Sequence, residues 1–194
     1  MTGDLKDKLA AALRIEVKPV CEVQRLYNEH KKFLSGKVIK TPLPEHVHLL
    51  DENFPYWIHL ENQDPVRNGA WISTKANVVL SDLEAGIFDQ NGFRFDAQRA
   101  RSLSYLPVLL RNPHCIHVNL RHHDERGDGG IRGHYMYVEY HHKKTRKVAF
   151  TLRDDRIGKI IVVSSFWTYK KWVQECAESP AVYVRNGCEC TCCG

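Results

Sequence analysis

Apolar positions recur along this chain in two rhythms, and the change from one to the other marks out its elements. Residues Glu22 to Leu34 read as a polar helical segment that ends before Gly36. At Phe54, Tyr56, Ile58 and Leu60 every second residue is apolar, while Trp57, His59 and Glu61 share the opposite side, which predicts a strand. Helical spacing returns from Ser73 to Ile87, with Val79, Leu80, Leu83 and Ile87 inward, and an Asn91-Gly92 turn closes it. Asp96 is a candidate N-cap for a helix AQRARSLSYL, after which Pro107 restarts the chain as a short turn, PVLLRNP. Cys115 to Arg121 alternates again, with Ile116, Val118 and Leu120 buried and His117, Asn119 and Arg121 opposite.

The densest patterning runs from Gly133 to Glu178. Tyr135 to Tyr140 is rich in aromatic and β-branched residues, as strands are. Val148, Phe150 and Leu152 alternate with Ala149, Thr151 and Arg153, a turn follows at 154–158, and Ile160 to Val163 is apolar on both sides. Beyond Thr168, a plausible N-cap, Tyr169, Trp172, Val173 and Cys176 recur at helical spacing. The stretch is therefore a three-strand meander closed by a helix. Upstream, Leu5, Leu9, Ala12 and Leu13 mark an amphipathic helix over residues 4–14, interrupted by Pro19.

Composition narrows the class. The chain has 194 residues, 43% hydrophobic and 26% charged, as expected of one globular domain with short appendages. The expected divisions are an N-terminal helical arm at 1–40, a main domain at 41–180 and a cysteine-rich tail at 181–194. No apolar run approaches the roughly 18–20 residues of a membrane span, and MTGDLKDKLA lacks the apolar core of a signal peptide, so a cytoplasmic protein is expected. A net charge of +5 with eleven histidines favours an acidic partner such as nucleic acid. Of seven cysteines, Cys188, Cys190, Cys192 and Cys193 crowd the end. They lack the paired spacing of a zinc module, and a disordered appendage is the expectation, with soft-metal binding or disulfides as the other readings.

Four chemistries compete for the polar residues. Metal-dependent phosphodiester cleavage needs converging carboxylates, but Asp154-Asp155 fall in a turn and Asp124-Glu125 in a loop. His46 and His48 with Glu52 resemble the metal-binding strand of a cupin, although no second cupin motif follows. Ser164 and Ser165 sit in no Gly-x-Ser-x-Gly elbow, and bonding to backbone groups at a strand end explains them better than nucleophilic catalysis. Metal-independent RNA cleavage asks for less: a base, an acid, and cations or hydroxyls around the phosphorane. Histidine, arginine, lysine, serine and threonine all lie along these strands. The loop HHDERGDGG at 122–130 has glycines where a covering loop could hinge, or it joins two strands and nothing more.

The succession RARSLSYLPVLLRNPHCIHVN, IRGHYMYVEYHH, KVAFTLRDDRIGKIIVVSSFW and TYKKW resembles the phage-associated branch of the Barnase–EndoU–colicin–RelE (BECR) nucleases. The matching features fall on Arg99 or Arg101, Leu106-Pro107, Asn112-Pro113, Ile116, Tyr137-Val138, Phe150-Thr151 and Ser164-Ser165-Phe166, and the likeness spans roughly residues 45–178. It implies an α+β fold: a twisted antiparallel sheet of about four to five strands, N-terminal helices packed on one face, and a C-terminal helix. It also implies a toxin-like or phage-conflict endoribonuclease that cleaves RNA through its own 2′-hydroxyl. Such an enzyme uses no cofactor or metal, has no membrane partner, and can be paired with an antitoxin or immunity protein. Under it, His59 and His134 are the candidate base and acid, Arg101 the phosphate clamp, and Thr151 and Ser165 phosphate hydrogen-bond donors. RNA-facing cations are expected at Lys75, Arg99, Arg121, Arg132, His141 and Lys143. Arg99 and Arg101 stand about 200° apart on a helix, so only one of them readily faces a ligand on the sheet. A fold-retaining module that binds nucleic acid or protein without cutting is the alternative.

Overall fold

The computed structural model describes residues 21–118, 135–140, 144–177 and 181–187. The helix expected at 4–14, the loop at 122–130 and the four tail cysteines lie outside the described residues.

The first helix, α1 (Glu22–Phe33), is amphipathic: Val23, Leu26, Tyr27 and His30 turn inward at i, i+3, i+4 and i+7. Strands β1 (Val38–Lys40) and β2 (His46–His48) follow as an antiparallel pair. A 3-10 turn over Asp51–Asn53 leads into the one-turn helix α2 (Phe54–Trp57). This replaces the strand expected over Phe54 to Glu61. Pro55 suits a helix's first turn, and Phe54, Trp57 and Ile58 are fully buried at helical spacing, whereas Tyr56 is 43% exposed. The Trp57 indole N–H donates to the Val162 carbonyl at 2.7 Å, which fixes α2 to the main sheet.

A small second sheet carries β3 (Glu61–Asp64) between β4 (Ala70–Ser73) and β5 (Phe93–Arg94). Helix α3 (Ala76–Ala85) is shorter than its expected span, because Ser73 belongs to β4, and Gly86 ends it at φ 69°. Asp96 caps α4 (Ala97–Arg101), its side chain accepting from the Gln98 and Arg99 amides. A 3-10 turn (Leu103–Tyr105) and a second short helix, α5 (Leu106–Arg111), follow where a single helix and a turn were expected. Pro107 lies in the first turn of α5, and Leu106, Leu109 and Leu110 are buried.

The main sheet is completed by β6 (Cys115–Val118), β7 (Tyr135–Tyr140), β8 (Thr145–Asp154), β9 (Lys159–Tyr169) and β10 (Tyr183–Val184), in the order β1-β2-β9-β8-β7-β6-β10. It is thus larger than expected, with seven strands, and mixed, since β2 runs parallel to β9. Helix α6 (Lys170–Cys176) follows β9; Tyr169 occupies its N-cap position, and Thr168 remains in the strand opposite Arg146. Among the described residues the fold is α+β, with six α-helices and two sheets. The main core crosses the divisions expected at residues 40 and 180, since α1 and β1 contribute to it and β10 pairs with β6.

Both faces of the sheet are covered. Ile116, Tyr137, Ala149, Ile160 and Val162 face the larger core, with α1 to α5. Cys115, Met136, Val138, Val148 and Phe150 face a smaller core under α6. His117, expected on a polar face, is fully buried on that second side, its Nε2 3.3 Å from Cys115 Sγ. One irregularity sets the phase of β9: Phe150 pairs with Ser164 and Thr151 with Val162, so Val163 is an extra residue, a β-bulge. Val162 and Ser165, three positions apart, therefore point to the same face.

Candidate active site

The half-exposed His59 follows α2 with φ 52°, a left-handed conformation that histidine adopts more readily than most side chains. Its ring is held from both sides. Arg99 Nη1 donates to Nδ1 at 3.2 Å, and Nε2 lies 3.2 Å from Glu61 Oε1. Since arginine is a donor only, Nδ1 accepts and the ring proton sits on Nε2, facing Glu61. On β3, Glu61 is itself anchored by Arg94 of β5, whose Nε donates to Oε2 at 2.6 Å while the guanidinium lies 4.5 Å from the Trp71 ring centroid. The Arg99 guanidinium lies 4.7 Å from the Phe166 ring centroid, with Nε 3.4 Å from Asp96 Oδ2. Burial lowers its pKa, against the opposing pull of Asp96 and Glu61. The turn after α2, two short strands of the second sheet and one capped helix thus bring together a histidine, a carboxylate and two arginines.

One turn further along, at the end of α4, Ser102 meets a lysine. Lys147 stands on β8 opposite Trp167 of β9, on the sheet face that carries Ala149. The side chain is fully buried; its Nζ donates to Ser102 Oγ at 2.5 Å, and that hydroxyl donates to the Arg99 carbonyl at 2.7 Å. Nζ also lies 5.5 Å from the Trp167 ring centroid. Burial, then repulsion from Arg99, brings the lysine pKa down to about 7, with Asp96 opposing. Above this pair opens a cleft of about 700 Å³, lined by Ala97, Gln98, Arg101, Ser102, Tyr105 and Trp167.

The residues singled out from the sequence distribute unevenly over this geometry. His59 and Arg99 meet directly, and Arg101 lines the cleft at Ser102. Thr151 and Ser165 do share a face, but it is the helix-covered one. Both are buried, Thr151 Oγ1 donating to the Tyr135 carbonyl at 3.4 Å and Ser165 Oγ to the Val148 carbonyl at 3.0 Å. A phosphate-donor role does not fit those positions, because the sheet is roofed where an open face was expected. Lys75 lies elsewhere, in a pocket of about 390 Å³ with Asn53, Tyr56, Asp154 and Arg156. His134, Arg121, Arg132, His141 and Lys143 lie outside the described residues.

Lys147, Ser102 and Trp167 were not singled out from the sequence. The available signal was strand parity, since Lys147 lies two residues before Ala149 and four before Thr151. Among the described residues no three His, Cys, Asp or Glu side chains come together as a metal site, and His46 and His48 gather no third ligand. No described helix is long and apolar enough to cross a membrane. No family model, curated protein or solved structure matches the chain.

Proposed function

We propose that this chain is a metal-independent endoribonuclease of the BECR type, with His59 as the base that activates the RNA 2′-hydroxyl. The observation that carries this reading is the half-exposed imidazole held between Glu61 and Arg99, with Arg94 bound to Glu61 behind it. Glu61 fixes the ring and keeps the proton on Nε2, which leaves Nδ1 as the basic nitrogen. Arg99 occupies Nδ1 in the free protein. An incoming phosphate offers that guanidinium a charged, bidentate partner, and its departure frees the lone pair at the moment substrate arrives. The clamp is thus Arg99 rather than Arg101, which faces the cleft where the chain would continue.

Incubation with RNA in EDTA tests this reading. Cleavage that leaves 2′,3′-cyclic phosphate ends and is lost in His59→Ala is expected. Cleavage that needs Mg²⁺ or Mn²⁺ would overturn it. The burial of Thr151 and Ser165 favours a second reading, an RNA-binding module without cleavage. Steeply salt-dependent RNA binding with intact RNA ends would mark that case.

A further inference from the structure

Cleavage through the 2′-hydroxyl requires two proton transfers. A base takes the proton from O2′ as it bonds to phosphorus, and an acid delivers one to O5′ as the P–O5′ bond breaks. His59, with Glu61 behind it, can fill one of these roles. The described residues around it are arginines, which do not give up protons, and Asp96, whose Oδ1 is engaged as the α4 cap. The second role is vacant in that cluster.

Ser102 and Lys147 have what this role needs. Ser102 lines the 700 Å³ cleft, and Lys147 lies fully buried beneath it with its Nζ 2.5 Å from the serine oxygen. The described residues place no carboxylate within ion-pair reach of that amine, although Glu139 stands in register with it across β7. A buried ammonium with a hydroxyl as its close partner is poised to lose a proton. Trp167 covers the lysine and forms part of the cleft wall, together with Tyr105, a pair of aromatic surfaces suited to stacking an unpaired base. The serine belongs to the same turn of chain as Arg99, to whose carbonyl its hydroxyl donates, so cleft and histidine adjoin.

We propose that Lys147 and Ser102 form a proton relay serving the leaving 5′-oxygen of single-stranded RNA, with the departing nucleoside held in the Trp167–Tyr105 cleft. This rests on the ribonuclease reading above. As the P–O5′ bond breaks, the Ser102 hydroxyl turns from the Arg99 carbonyl into the cleft and gives its proton to O5′. The Lys147 ammonium replaces that proton, and the neutral amine regains one from water after product leaves. Protons in and out balance, and no oxidant, metal or cofactor enters. Ser102 touches the substrate; Lys147 acts through it.

The test compares two substrates on the same preparations of protein. One is an RNA oligonucleotide, whose alkoxide leaving group needs a proton. The other is a ribonucleoside 3′-(p-nitrophenyl phosphate), whose phenolate departs without one. Lys147→Met and Ser102→Ala are expected to slow RNA cleavage by roughly 10²- to 10⁴-fold, while the activated ester is cleaved within a few-fold of wild type. His59→Ala is expected to lose both. Because each variant's two rates come from one preparation, the fraction folded cancels in their ratio. Equal loss on both substrates, or no loss on RNA, overturns the relay and leaves the ribonuclease standing. Wild-type protein that cleaves neither substrate overturns both.

Discussion

Replacing Lys147 by Met should make the protein more stable as it makes it less active. The buried amine has its pKa brought from 10.5 down to about 7, so between those values the unfolded chain holds a proton that the folded one has released. Unfolding in that window takes up protons, and stability therefore rises with pH from about 7 towards 10.5 and is lowest below 7. At about 1.4 kcal/mol per pKa unit, the lysine disfavours the folded state by about 5 kcal/mol below pH 6 and by about 2 kcal/mol at pH 9. Met fills a similar volume without charge. The advantage of Lys147→Met over wild type should thus shrink by about 3 kcal/mol between pH 6 and pH 9, or roughly 6–12 °C in Tm. The charged groups around the amine are Arg99 and Asp96, with Glu139 in register across β7. Taking the difference between the two proteins removes every other titration they share. Urea unfolding of both at several pH values is the assay. A difference that does not change with pH would refute the buried-amine reasoning, and a Lys147→Met protein less stable than wild type at pH 6 would refute the assigned burial penalty.

Other expectations follow from single contacts. His59→Ala should lower RNA cleavage by roughly 10²- to 10⁴-fold with little change in Tm, since the side chain is half-exposed; a turnover within three-fold of wild type would remove it from the site. Thr151→Val should leave turnover per folded molecule unchanged, because among the described residues its buried hydroxyl bonds to the Tyr135 carbonyl, and should lower stability by about 1 kcal/mol. A cleavage defect with unaltered melting would show that the hydroxyl meets substrate after all. Burial lowers the His30 pKa below 6.5 despite the Asp51 carboxylate 2.8 Å away, so the unfolded state binds the extra proton and stability should fall as pH drops through 6.5. His30→Phe, which keeps an aromatic ring among Tyr27, Phe54 and Trp57, should flatten that acid limb in thermal melts.

Much of the scaffold is written locally. The meander from Tyr135 to Tyr169 follows from alternation, and the start of α4 from Asp96, because the residues that decide those elements are neighbours in sequence. FPYWIHL carries two periods at once, and only tertiary packing chooses between them. Tyr56 and Leu60 support a strand, but Phe54, Trp57 and Ile58 are the residues that go into the core, and the indole bond to Val162 spans 105 positions. His59 was legible as a histidine beside a carboxylate, whereas Arg99 on its other side comes from 40 residues away. His117 was misplaced because α6 and β10, distant in sequence, close the side of the sheet it occupies. Lys147 was missed for the same reason, since nothing within KKTRKVAF says that a helix end will roof the strand. Whether Thr151 and Ser165 share a face depends on the turn register and the bulge, which local alternation leaves open, and the face they share is a buried one.

The bulge at Val163 gives β9 a reserve of one residue in chain length. Alternation flips every residue beyond a single insertion or deletion. The bulge already holds one extra residue, however, so with Val163 removed Ser164 would still pair with Phe150 and Trp167 with Lys147. Loss of residue 163 straightens the strand and leaves both compartments lined as before, whereas an added residue needs a second bulge to keep that lining. Descendants of this sequence should therefore tolerate the loss of one residue between Val162 and Trp167 better than the gain of one.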